Sequence, residues 1–145
     1  MKTVYLCGAI NGCTDEEAMN WREATKKELN GIFAFLDPMR RDYRGKESEC
    51  VNEIVAGDLA DIAASDIVLV AGDRPSWGTA MECFYAFREG KIVVTVCSSR
   101  SSPWLSFHST RVCPSLFGAW SFLRRLAQQD TSDEALKFAF GADDE

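Results

Sequence analysis

The chain is poor in the residues that build metal and cofactor sites. It has a single histidine, His108, and its six cysteines never stand as Cys-x-x-Cys. Zinc centres draw on those two residue types at short spacing, so no metal is expected. Neither a Walker loop nor a G-x-G-x-x-G fingerprint occurs, and no cofactor is expected. The Gly-x-Ser-x-Gly elbow of a serine hydrolase is also missing. Basic residues are outnumbered: 16 Lys and Arg face 22 Asp and Glu, for a net charge of -6. A surface that neutralises a phosphate backbone needs the opposite balance, which excludes nucleic acid as the expected partner and favours a small molecule. Long apolar runs are lacking too. The opening "MKTVYLCGAI" is interrupted by Gly8 and Asn11 before it reaches the length of a signal peptide or membrane span, so no membrane partner and a cytoplasmic location are expected.

What is present is a regular alternation. The β-branched runs Thr3–Gly8, Ile32–Asp37, Asp66–Ala71 and Lys91–Cys97, with a short fifth at Thr110–Cys113, alternate with helical patterns. Such a chain predicts an α/β fold, a single flavodoxin-like or Rossmann-like three-layer domain with a five-stranded, mainly parallel sheet. The first helix is expected from a capping box at Thr14-x-x-Glu17 to a stop at Asn30 and Gly31. Others are expected over Cys50–Ala64, Thr79–Glu89 and Pro114–Gln129. The domain is assigned to residues 1–130, with an acidic extension over 131–145 that holds at most a short helix and frays at its end. The cysteines sit mostly within apolar stretches and read as buried free thiols.

Loops at the carboxyl ends of parallel strands form the ligand crevice of such sheets, so function is sought in "GAINGC", "PMRRDYRGKESE", "GDRPSWG" and "SSRSSPWLSFHS". Two acids stand out. Val51, Ile54, Val55, Leu59 and Ile62 form an apolar stripe on the second helix with Asp58 near its middle, where an acid serves chemistry or meets a buried Arg. Glu82 lies among Met81, Cys83, Phe84 and Tyr85. Thr79-x-x-Glu82 has the spacing of a capping box, which needs no chemistry. A first-turn carboxylate above the crevice would instead be kept ionised by the helix dipole, as suits a nucleophile. Ser76, Gly78 and Thr79 bracket a helix start able to hold a phosphate or sugar hydroxyl, or form an ordinary turn. Gly8 and Gly12 permit close approach of a ligand. His108, beside Trp104 and Phe107, is either a base-binding group or a core imidazole.

The stretches "VYLCGAING", "LDPMR", "DLADIAASDIVLV", "GTAMECFYA" and "SPWLSFHST" together resemble the nucleoside 2-deoxyribosyltransferase family and its relatives, the nucleoside 5'-monophosphate N-glycosidases. They cover most of Thr3 to Cys113 in matching order. The resemblance implies an enzyme of nucleotide metabolism and purine or pyrimidine salvage that cleaves the N-glycosidic bond of a (2'-deoxy)ribonucleoside. It implies Glu82 as the nucleophile that forms a covalent glycosyl-enzyme and Asp58 as the second site acid. The sugar then passes to another nucleobase. Substrate contacts are implied at Tyr5, Gly8, Ile10, Asn11, Asp37, Arg40, Ser76, Gly78, Thr79, Ser102 and His108. A site shared between subunits is also implied, with Ser102 and His108 reaching across a homodimer or higher homo-oligomer. Ser76 stands where members acting on free nucleosides often have an acid, which leaves hydrolysis of a nucleoside 5'-monophosphate as the alternative. "GAINGC" lacks the basic residues of those hydrolases, and Arg40 or Arg41 would have to supply the charge. A non-catalytic nucleotide-binding domain is the alternative of another class.

Overall fold

A computed structural model describes residues 1–140. Five strands, β1 (Thr3–Cys7), β2 (Ala34–Leu36), β3 (Ile67–Ala71), β4 (Ile92–Val96) and β5 (Arg111–Cys113), form one parallel sheet in the order β2-β1-β3-β4-β5. The order reverses at β1 and β3, the switch point where such sheets open a crevice. Helices α1 (Asp15–Glu28) and α5 (Leu116–Phe140) cover one face, and α2 (Val51–Ala64) and α3 (Trp77–Arg88) the other. This is the three-layer architecture expected.

The two-residue period of the strands divides the core and fixes what reaches the site. Val4 and Leu6 of β1, with Ile67, Leu69 and Val94, pack toward Leu29 and Leu123. Tyr5 and Cys7, with Val68, Val70 and Val93, face the other way, toward Ile62, Cys83 and Ala86. Two polar side chains of β1 therefore lie under α2 and α3. Cys7, Cys83, Cys97 and Cys113 are buried, and all six cysteines are free thiols.

Local signals set most boundaries. The capping box is formed at α1: Thr14 Oγ1 accepts from Glu17 N–H, and Glu17 accepts from Thr14 N–H. Gly31 takes φ +79° just after α1, a conformation open to glycine. Three expectations change. Helix α3 starts two residues before Thr79, capped by Ser76, whose Oγ accepts from Thr79 N–H. Helix α5 starts at Leu116 and continues through residue 130 to Phe140 without a break. No Gly or Pro follows Gly118 within it, and Thr131 and Ser132 turn their hydroxyls back onto carbonyls four residues earlier. The acidic end of the extension lies outside the described residues. A helix of one and a half turns, α4 (Pro103–Phe107), occupies the serine-rich loop, where Ser102 caps it and Pro103 opens it. No helix among the described residues is long and apolar enough to cross a membrane.

Candidate active site

The crevice above the carboxyl ends of β1 and β3 encloses about 460 Å³. Gly8, Ala9, Ile10 and Asn11 line it after β1, Arg41, Tyr43 and Arg44 after β2, and Arg74 to Thr79 after β3. Val51, Ile54, Val55 and Asp58 form a wall from α2, and Glu82 projects from α3. Val51 and Val55 are more than half exposed, so the α2 stripe is crevice wall at its start and core only at its end, around Ile62.

Gly8 is required by packing. A Cβ there would lie 2.8 Å from Trp21 and 3.2 Å from Ala71, both of which hold the loop against the sheet. The same loop is held from below by Arg22, wholly buried, which donates to the carbonyls of Leu6 and Gly8. Its charge is met by Asp37 at 3.6 Å.

Glu82 is not a capping residue. It stands one turn inside α3, with Ser76 occupying the cap, and its Oε2 accepts from Tyr5 O–H at 3.0 Å and from Cys7 S–H at 3.2 Å. Asp58 and Glu82 face one another across the crevice, near enough for the charge of Asp58 to act on Glu82. Burial, reinforced by the charge of Asp58, pushes the Glu82 carboxyl up to about 8, against the two donors. This corrects the expectation that the helix dipole keeps it ionised: one turn in, desolvation and a neighbouring acid outweigh a dipole that fades within the first turn. Burial also raises Asp58, while its contact with Glu82 and the Arg41 charge oppose the rise. Burial and the neighbouring acid thus favour the protonated form of Glu82 at neutral pH.

Arg41 supplies the counter-charge. Its guanidinium lies 3.4 Å from Asp58 and 2.8 Å from Asp61, and it passes over Gly57, where a Cβ would meet Nε at 3.0 Å. Arg40 pairs with Asp61 at 2.7 Å and does not line the crevice. Asp61 is buried, yet its bonds to Arg40 and Arg41 hold its carboxyl below the usual range.

Of the residues expected to touch substrate, Gly8, Ile10, Asn11, Ser76, Gly78 and Thr79 line the crevice together with Asp58 and Glu82. The hydroxyl of Thr79 is buried without a hydrogen-bond partner. Tyr5 is fully buried and reaches the site only through Glu82. Asp37 is occupied by Lys26 at 2.9 Å and by the backbone of Met39. Ser102 lines a separate cavity of about 640 Å³ on the far side of the Arg74–Trp77 loop. His108 is buried among Phe84, Phe87, Phe107 and Trp104, with Nδ1 2.6 Å from the Trp104 carbonyl oxygen. Within one chain neither reaches the crevice. Tyr43, Arg44, Arg74 and Trp77 line it without having been singled out. Their position in strand-end loops was the available signal.

The family model described as nucleoside 2-deoxyribosyltransferase matches residues 4–117. No curated protein matches the chain in sequence. The fold is shared with a 2-deoxyribosyltransferase from Bacillus psychrosaccharolyticus (TM-score 0.65, 17% identity, over 79% of this chain and 88% of that one). It is shared with a 2-deoxyribosyltransferase from Leishmania mexicana (0.57, 20%, over 75% and 73%). The Clostridium botulinum CMP N-glycosidase is similar over 88% of this chain and 99% of its own, at TM-score 0.55 and 16% identity.

Proposed function

Because this chain belongs to the nucleoside 2-deoxyribosyltransferase family, we propose that it breaks the N-glycosidic bond of a (2'-deoxy)ribonucleoside and transfers the sugar to another nucleobase. The observation that carries the reading is the pairing of Asp58 and Glu82, two acids that line one crevice of nucleoside size and act on each other by charge. Glu82 as carboxylate attacks C1', and the bond from C1' to the base nitrogen breaks through an oxocarbenium-like transition state. The base leaves with its bonding electron pair and takes up the proton held by the acid pair. A second base then attacks C1' of the glycosyl-enzyme, returns a proton to the pair and frees Glu82. Arg41, 3.4 Å from Asp58, offsets the negative charge that the acid pair carries once the proton has left with the base.

Hydrolysis of a nucleoside 5'-monophosphate is the second reading. It is supported by the crevice-facing start of α3, where Ser76 and Gly78 sit beside Arg74. Incubation of a deoxynucleoside, and separately of its 5'-monophosphate, with a foreign base separates the two. Transfer gives a new nucleoside in preference to free sugar. Hydrolysis gives free base and sugar phosphate from the monophosphate alone. A Glu82→Gln variant that works at the wild-type rate would refute both.

The outer face of α3 and α4 supports assembly with further copies of the chain. Trp77, Met81, Phe84, Trp104 and Phe107 are between about half and nearly fully exposed there. Ser102 and His108 lie at the same end of the fold, where a neighbouring copy would approach.

A further inference from the structure

Both donors that reach Glu82 from β1 fall on one oxygen. Tyr5 O–H and Cys7 S–H lie 3.0 and 3.2 Å from Oε2, and Oε1 receives no donor from a tyrosine, thiol or backbone group among the described residues. The convergence follows from strand geometry. Residues 5 and 7 share a face of β1, so their side chains rise side by side under α3. Cys7 is wholly buried, and burial and the nearby Glu82 push its thiol well above its ordinary value, so it stays a donor. A thiol at this place is neither a nucleophile nor an oxidation site, because no solvent reaches it.

We infer that Cys7 is a positioning residue for Glu82: its thiol donates to Oε2, steadies the charged carboxylate and leaves Oε1 as the oxygen that meets the sugar. The inference deepens the proposed reaction and rests on Glu82 acting as its nucleophile. Tyr5 alone would let the carboxyl pivot about one hydrogen bond, whereas two donors fix its plane. The other groups facing this pair are Asp58 from α2, Cys83 from α3 and Arg22 from α1, with Arg41 acting through Asp58.

The test is the pH dependence of kcat/KM for base release from a deoxynucleoside in wild type, Cys7→Ser and Cys7→Ala. Removing the donor raises the acid limb, and one pH unit is tenfold. Cys7→Ala should therefore lose about threefold to tenfold at pH 6 and little at pH 9, while Cys7→Ser, which keeps a donor, stays near wild type. A purely structural cysteine would lower stability in both variants and leave the limb in place. The S–H infrared band missing from Cys7→Ser supplies a reading that needs no turnover. In wild type it should move to lower frequency as pH rises through the Glu82 titration, since a carboxylate accepts more strongly than a carboxylic acid. An acid limb unmoved in Cys7→Ala, or an S–H band that ignores pH, overturns the assignment. If Glu82→Gln is also inactive, the transfer reading survives that loss. A fully active Glu82→Gln would instead remove the reaction on which the assignment rests.

Discussion

Replacing Glu82 by Gln should stabilise the fold, and by an amount that depends on pH. The folded chain holds the Glu82 proton up to about 8, and the ordinary value is 4.5. Between those limits the folded state binds a proton that the unfolded state has released, so stability falls as pH rises. Below 4.5 both states are protonated and the residue costs nothing. At pH 7, at about 1.4 kcal/mol per pH unit, the penalty is on the order of 3 kcal/mol, and it levels off above pH 8. Glutamine keeps an acceptor for Tyr5 and Cys7 and removes the titration. It also relieves Asp58 of a like neighbour, a change of the same sign. Urea unfolding of wild type and Glu82→Gln at half-unit steps from pH 4 to 9 measures the difference directly. The two should agree near pH 4 and diverge toward pH 8, with the variant more stable there by about 4 to 5 kcal/mol. A difference independent of pH, or a variant less stable at pH 8, would refute the claim that burial beside Asp58 sets this carboxyl.

Two further outcomes are expected. Trp104→Asp places a charge in the exposed aromatic face and should shift the chain toward monomer in sedimentation equilibrium without lowering its unfolding midpoint, since Trp104 is 76% exposed. A chain ending at Asp130 keeps the 3.1 Å Lys2–Asp130 pair, and the removed residues whose burial is described, 131 to 137, are all exposed. Its stability should change by less than about 1 kcal/mol in urea unfolding, the range of surface changes.

The layer order was legible because strands buried on both faces must be near-continuous apolar runs, as "VYLC" and "IVLV" are. Patterns with two physical solutions were not legible. Thr79-x-x-Glu82 has the spacing of a capping box, but Ser76 is an N-cap residue type as well, and it is Ser76 that caps the helix, accepting from Thr79 N–H. The second solution moved Glu82 from the helix end to a buried position and reversed the direction of its proton affinity. The stripe of Val51, Ile54 and Val55 read as core because the wall of a ligand crevice is as apolar as a core. Adjacent arginines could not be ranked from sequence: both reach Asp61, and only Arg41 extends to Asp58. Cys7 was readable in principle, since period two puts it beside Tyr5, yet a thiol in an apolar run looks like filler. Helix α4 announced itself only by Ser102-Pro103, a cap followed by a ring with its φ already set.

Gly57 gives the α2 helix a different meaning. An engineer seeking a tougher protein would turn this mid-helix glycine into alanine first, for a gain of about 1 kcal/mol in helix propensity. The position is vacant of side chain because a guanidinium lies across it, 3.0 Å from where a methyl group would stand. Filling it would force the Arg41 guanidinium to give by a few tenths of an ångström, at the group that pairs with Asp58. The missing side chain in the helix thus makes room for the crevice's arginine, and a design that optimises helix stability alone would crowd it.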